Sequence, residues 1–370
     1  MAVDSSIQRI SRLTPLGAIL ALIETRVGAV KPQKSAVEAA RRFTLAEDIW
    51  ALWPVSSIAL RDGFAVDAAI VADAGPYAPV ALPAATRRVD DGERLPDGTN
   101  AVLPLDAVVL RGDRAETVAS AVPGDGAWLA GDGVTPDEPL YHAGERMHAV
   151  DIAVLEVAGV EELTIRTPRI AIVRGGEAKS SEIHAALTTL TRVAGKAGGL
   201  VTGKPATLEA ALGDEESDAV IAVGGTGGGR RDAAVHTLAR LGRVEAHGIA
   251  ISPGETAAFG FAGERPVLLV PGRLDAALAV WLLIGRCLVA KLAGGTVEET
   301  AAMLPLKRKV TSTIGMTELV PVRCSGGMAE PLGSGYLSLT ALARSDGWIV
   351  VPADSEGSPA GTQVAVTPWP

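Results

Sequence analysis

Cysteine and histidine are scarce in this chain: two of the first, Cys287 and Cys324, and five of the second stand among 370 residues. Neither supply has the spacing of a zinc site or of a disulfide framework, so a reducing, cytoplasmic setting is expected. Basic charge is also short. With 43 acidic against 34 basic residues and a formal charge of -9, no sequence-wide basic field exists to displace counterions from nucleic acid. Nucleic acid is therefore not an expected partner. A membrane-spanning run is lacking near the start, because the apolar stretch Leu16 to Ile23 is too short and is followed by Glu24 and Arg26. No convincing small-residue cleavage site accompanies it, so no secretory leader is expected. Leu274 to Leu292 approaches a spanning length but carries Asp275, Arg286 and Lys291, which suits a buried or half-buried helix. No membrane partner is expected.

What is present is a packed, multi-part protein. Hydrophobic residues make up 48% and charged residues 21%, and the length exceeds the roughly 250–300 residues over which one core keeps growing. The first sixty residues read as helix-rich: Pro15 to Val27 places Leu16, Ile19, Leu20 and Ile23 at helical spacing, and Ser35 is positioned to cap a second helix through Val37. From about Asp67 to Tyr141, short apolar runs such as Ala101–Leu103 and Val108–Leu110 alternate with glycine turns, as in a small β module. Beyond Pro168, three β-rich runs each end in glycine: Ile170–Val173, Ala219–Val223 and Val267–Val270. Helical patterns follow them, and this alternation predicts a mainly parallel sheet covered on both faces. From Lys307 the pattern returns to strands and turns, with runs at Leu319–Arg323, Trp348–Val351 and Gln363–Val366.

The loop Gly224-Gly225-Thr226-Gly227-Gly228-Gly229-Arg230-Arg231-Asp232 lies between a predicted strand and helix, at the edge where open parallel sheets bind ligands. Free amides and the helix dipole favour an anion there, glycines let the backbone approach a phosphate, and Arg230 or Arg231 adds positive charge. As an ordinary connection the same loop would need neither the glycines nor the arginines. Glu177, after Val173-Arg174-Gly175-Gly176, is expected at the same edge. With Asp232 it offers two carboxylates suited to Mg²⁺ shared with phosphate oxygens, although each alone also suits a cap or a solvated surface. Pro271-Gly272-Arg273-Leu274-Asp275 forms the third edge loop, with Arg273 in reach of an oxyanion and Asp275 near a helix start. Asp62 and Asp132 read from spacing alone as turn residues. His142 and His184 lack companions.

Seven collinear segments resemble the molybdopterin molybdenumtransferases, the family that includes the E domain of gephyrin. They are Arg61–Ala65, Pro96–Val102, Gly144-Glu145, Val173–Glu177, Pro253–Gly260, Gly333–Gly335 and Asp346–Pro352. The resemblance implies an α/β multi-domain subunit in four parts: an elongated helix-containing domain over 1–66 and 142–167, an inserted β module over 67–141, a three-layer α/β pterin-binding domain over 168–304, and a C-terminal β-barrel over 305–370. It further implies a homodimer with a site between subunits, and insertion of molybdate into adenylylated molybdopterin, with Mg²⁺ required and AMP released. Carried onto this chain, Asp62, Glu177 and Asp232 would serve catalysis, the last two holding metal. Gly224, Gly225, Thr226, Gly227, Gly228, Arg231, Ser252, Pro271, Gly272 and Arg273 would bind the pterin. Transient contact with other cofactor-pathway proteins or molybdoenzymes is a further expectation.

The departures concern charge. Ser252 and Glu255 stand where the family's lysines commonly flank Pro-Gly, Pro271-Gly272-Arg273-Leu274 replaces Pro-Gly-Asn-Pro, and the glycine loop lacks the family's serine. Loss of cations beside a phosphate and molybdate site weakens anion binding unless Arg230, Arg231 or Arg273 compensates. A non-catalytic pterin-binding or delivery protein is therefore one alternative. The Gly-Gly-Thr-Gly loop with its Arg-Asp ending also resembles molybdopterin adenylyltransferases, which is another.

Overall fold

Three apolar runs separated by dozens of residues become neighbouring parallel strands. The computed structural model describes residues 8–111, 114–135, 137–203, 207–297 and 300–370. Arg169–Arg174, Ala219–Val223 and Arg265–Val270 lie side by side, with Leu200–Thr202 parallel at one flank. At the other flank Ala258–Ala262 and Arg243–His247 run antiparallel, completing a six-stranded sheet. The predicted, mainly parallel sheet is thus present with an antiparallel edge. All five residues of Ala219–Val223 are buried, as a continuous apolar run requires when both faces of a strand are covered.

Side-chain alternation divides that burial between two layers. Ile170, Ile221, Val223, Leu268 and Val270 pack with the helices Ser181–Lys196 and Leu274–Ala293 and with Ile19 and Ile23 of Leu16–Arg26. Ala171, Val173, Val220, Ala222 and Leu269 pack instead against Leu208–Gly213 and Ala234–Leu241. Leu274–Ala293 is long and apolar enough to cross a membrane, yet 72% of its most apolar window is buried. It is a core helix, as its charged residues suggested. Its middle, Trp281–Gly285, widens into a π-helical turn, and Gly285 lies beneath the buried Trp281 ring, where a β-carbon would overlap the indole.

The expectation of a second early helix is overturned. Gln33–Ala36 is a strand, Val37–Ala39 forms only a 3₁₀ turn, and the Ser35 hydroxyl reaches the Ala36 carbonyl rather than capping anything. The physical reason is a non-local partner: Glu162–Arg166 inserts between Gln33–Ala36 and Thr44–Leu45 in a three-stranded sheet. The first sixty residues accordingly hold one α-helix among the described residues, Leu16–Arg26.

Toward the C-terminus, Thr317–Ser325 pairs with Gly347–Val351, which pairs with Gln363–Pro368, itself beside Ala302–Pro305. Met328–Pro331 flanks Thr317–Ser325 on its outer side, and Leu306 bridges to Ala329, so the two ends of this series meet. Val320, Val322, Ile349, Val351 and Val366 fill the interior. On the surface Arg323 and Lys307 donate to Glu330 at 2.8 and 3.1 Å and hold its carboxyl below the usual range.

All these elements belong to one compact unit, Met1–Ala46, Gly144–His148 and Leu163–Pro370. The other unit, Glu47–Ala143 with Ala149–Glu162, contains short antiparallel sheets and the helices Ala68–Val71 and Ala149–Val157. There Gly63–Val66, just before the stretch whose turns read as a β module, sits between Arg87–Val89 and Ala101–Pro104.

Trp281, on the helix that follows the third edge loop, is among the largest fully buried side chains, and its removal leaves a cavity in the core. Trp281→Ala is expected to destabilise the larger unit by about 3–5 kcal/mol, read as a lower urea midpoint by near-ultraviolet circular dichroism.

Candidate functional site

Arg169–Arg174, Ala219–Val223 and Arg265–Val270 end at one edge, and each turn leaving them is built on glycine. The turns touch backbone to backbone. Gly175 donates to the Val223 carbonyl and Gly224 to that of Val270, both at 2.8 Å. A β-carbon on Gly175 would overlap the Gly224 carbonyl oxygen, and one on Gly272 would lie 3.0 Å from Ile183 Cγ1 and 3.4 Å from Gly224 Cα. Gly224 also has φ +88°. Glycine is therefore required here by both space and backbone angle.

The second turn opens into the predicted loop. Its Asp232 carboxylate folds back, accepting the Gly229 amide at 2.8 Å, while the Asp232 amide donates to the Gly229 carbonyl at 3.0 Å. Asp232 thus closes the loop on itself and does not cap the following helix. Gly228, Arg230 and Arg231 are exposed, and the amides of Gly227, Gly228, Arg230 and Arg231 have no acceptor among the described residues. A shallow opening of about 580 Å³ is lined by Gly229, Arg230, Arg231 and Asp232. Thr226 points the other way: it is 2% exposed, its hydroxyl lies 3.0 Å from that of Thr256, and its carbonyl accepts from His247 Nε2 at 3.0 Å.

The start of the following helix is already engaged, contrary to the expectation of free amides. Ala233 offers Ala234–Leu241 no side-chain cap, and the amides of Val235 and His236 donate to Gln8 Oε1 at 2.7 and 3.2 Å. Gln8 Nε2 donates to the carbonyls of Gly225 and Gly227 at 3.0 and 2.8 Å. No feature of the sequence marks Gln8, which lies in a short polar stretch and reaches its partners across more than 200 residues.

The third turn is tied to the C-terminal sheet. Arg273 pairs with Asp275 and stacks on Tyr336, with its guanidinium carbon 4.0 Å from the ring centre. Asp275, 4% exposed, also accepts the amides of Ala276 and Leu337 at 2.8 and 2.9 Å. Glu255 accepts the Gly254 amide and the Tyr336 hydroxyl, each at 3.1 Å. Buried Glu318 accepts the Gly335 amide at 2.6 Å, just before Tyr336 and Leu337, which meet Arg273 and Asp275. Sequence reasoning missed Thr256, His247, Glu318 and Tyr336 as well as Gln8. Ser252 lies in the two-residue strand Ile251–Ser252, paired parallel with Thr317 and Glu318.

Glu177 is exposed on the first turn, where Gly176 packs toward Gly225 Cα and the Arg231 carbonyl. Its turn therefore abuts the segment that carries Asp232. Among the described residues no three His, Cys, Asp or Glu side chains converge on a closed metal cage. Two carboxylates on one lip nevertheless fit Mg²⁺, which commonly takes one or two carboxylates together with substrate phosphate. Asp62 belongs to the smaller unit, where its Oδ1 accepts the Asp91 amide at 2.9 Å and closes the turn read from spacing.

Three family descriptions match successive parts of the chain: the MoeA N-terminal region (domain I and II) over residues 2–159, a probable molybdopterin binding domain over 180–291, and the MoeA C-terminal region (domain IV) over 303–369. The chain belongs to the molybdopterin molybdenumtransferase (MoeA) family. A putative molybdopterin biosynthesis protein of Methanocaldococcus jannaschii is 27% identical, over 89% of this chain and 90% of its own. Molybdopterin molybdenumtransferase 1 of Mycobacterium tuberculosis is also 27% identical, over 55% of this chain and 52% of its own. Among solved structures, a molybdopterin biosynthesis MoeA protein of Pyrococcus horikoshii has the same fold, with TM-score 0.75 and 23% identity over 97% of this chain and 100% of that one. A molybdenum cofactor biosynthesis protein of Pyrococcus furiosus shares it at TM-score 0.62 and 19% identity, over 97% and 100%. MoeA membership places the chain in molybdenum cofactor biosynthesis and makes molybdopterin the class of ligand to test at this edge.

Gly175→Ala introduces one methyl group against a backbone oxygen that no rotamer change can move. A destabilisation of about 1–3 kcal/mol is expected, together with loss of molybdopterin binding by fluorescence titration. Unchanged affinity would dissociate the glycine edge from ligand binding.

Proposed function

We propose that this protein inserts molybdate into adenylylated molybdopterin and releases AMP, in the cytoplasm, with the pterin phosphate held over the Gly224–Asp232 loop. The observation that carries this reading is the meeting of three glycine turns at one sheet edge, beside a loop that offers unpaired amides and two exposed arginines to an anion. Gly224, Gly225 and Gly272 let the ligand approach the backbone. Gly227, Gly228 and Arg231 supply donors to the phosphate, with Arg273, Ser252 and Pro271 along the rim. Thr226 contributes through its backbone, since its hydroxyl is engaged with Thr256.

Glu177 and Asp232 would hold Mg²⁺ against the phosphates. A divalent ion held by these two carboxylates would supply positive charge to the phosphate oxygens. The two carboxylates do not touch molybdate directly, because like charges repel at contact distance. Asp62 from a second subunit would complete the catalytic set, which requires a dimer. In the smaller unit Val150, Val154 and Val157 are 72%, 37% and 63% exposed along one helix, and Trp50 and Leu52 of the same unit are 60% and 57% exposed. Apolar exposure on that scale suits an interface between copies of the chain.

A second reading is favoured by one observation. Glu255, held by Gly254 and Tyr336, fixes a carboxylate where the family commonly carries a lysine, which lowers the attraction for molybdate. On that reading the protein binds and delivers the pterin without turning it over.

AMP release from adenylylated molybdopterin on addition of molybdate separates the two. Insertion predicts stoichiometric AMP by chromatography and about a hundredfold slower release by Asp232→Ala at unchanged thermal stability. Tight pterin binding with no AMP at high enzyme concentration would establish the delivery reading instead. For the dimer, Val150→Glu with Val154→Glu is expected to convert a sedimenting dimer into a folded monomer. A wild-type monomer at micromolar concentration would contradict the interface.

A further inference from the structure

We infer that Gln8 is a positioning residue for the ligand phosphate: it turns the carbonyls of the glycine loop inward and closes the helix start to anions, so that loop amides bind the phosphate. The inference rests on the phosphate-binding reading of the loop given above and specifies which amides do the work.

The Gln8 side chain is 4% exposed and uses its full hydrogen-bonding capacity. Its two N–H groups reach the carbonyls of Gly225 and Gly227, and its oxygen accepts from Val235 and His236. A primary amide has two donors on nitrogen and two lone pairs on oxygen, so nothing is left over. The carbonyl of Thr226, between the two glycines, is taken by His247. The three successive carbonyls of Gly225, Thr226 and Gly227 are thereby held by donors from the protein.

Peptide geometry gives this arrangement its consequence. In a planar trans peptide the C=O of one residue and the N–H of the next point in opposite directions. Drawing the Gly225 and Gly227 carbonyls toward Gln8 therefore aims the amides of Thr226 and Gly228 away from it. Thr226 is 2% exposed, so the amides that reach the surface are those of Gly228 and the neighbouring Gly227, both without an acceptor among the described residues. Successive outward amides in a glycine-rich turn form a concave anion site. At the same time the Val235 and His236 amides, the part of the helix start that would otherwise compete for an anion, are satisfied by Gln8 Oε1. A helix cap alone would account for the accepted bonds but not for the two donated ones.

Gln8→Glu separates capping from positioning. It keeps an acceptor for Val235 and His236 and places negative charge favourably at a helix start, but it removes both donors and sets an anionic oxygen against the two carbonyls. Positioning predicts that full-length Gln8→Glu binds molybdopterin about tenfold more weakly than wild type, equivalent to about 1.4 kcal/mol, while hydrogen exchange at Val235 and His236 stays slow. Gln8→Ala should lose comparable affinity and exchange faster at both amides. If Gln8→Glu binds as tightly as wild type or tighter, Gln8 is only a cap and the inference is overturned. Should the wild type itself fail to bind molybdopterin, the phosphate reading falls. Exchange at Gly227 and Gly228 then decides the clamp alone: altered rates in both variants uphold it, and unchanged rates overturn it.

Discussion

The structure depends on a close approach between three chain reversals. Where Arg169–Arg174, Ala219–Val223 and Arg265–Val270 end, the turns are so near that Gly175 has no room for a methyl group against Gly224, and Gly272 rests on Ile183 and Gly224. Parallel pairing brings the strand ends level, and only residues without side chains allow them to meet there. Bulk at this edge would force the strands out of register or the turns apart. The same lack of side chains leaves backbone donors as the main chemical groups on the lip, which is why an anionic headgroup suits it.

Charge near the edge is arranged with as much economy as space. Arg273 is stacked on Tyr336 and paired with Asp275, so the cation expected to compensate for missing lysines is partly committed to joining the α/β sheet to the C-terminal strands. Glu255 is fixed by the same Tyr336. Arg230 and Arg231 remain exposed on the glycine loop, and Lys179, shortly after the first turn, is exposed as well. Asp232 turns back into that loop and gives it shape.

Much of this was legible in the sequence because it depends on local signals. Continuous apolar runs ending in glycine identify buried parallel strands, and Ile170–Val173, Ala219–Val223 and Val267–Val270 all proved to be strands of one sheet. The spacing of Leu16, Ile19, Leu20 and Ile23 likewise gave a helix. Local signals fail where a distant segment decides the outcome. Ser35 and Val37 looked like a helix start, but the strand Glu162–Arg166 supplies backbone partners that a helix would have to forgo. Gln8 carries no periodicity, motif or charge, and its role exists only because folding brings it to Gly225, Gly227, Val235 and His236. Asp232 belongs to the loop by sequence alone, whereas its direction, inward to Gly229 instead of onward to the helix, is a property of three-dimensional closure.

The central claim is spatial: the phosphate of the pterin lies on the outward amides of the Gly224–Asp232 loop. A crystal structure of the protein soaked with molybdopterin tests it directly. The account predicts phosphate oxygens within about 3 Å of the Gly227 and Gly228 amides, with Gln8 still seated at the helix start. Phosphate density at the Val235 and His236 amides with Gln8 displaced, or pterin bound away from the three glycine turns, would contradict it.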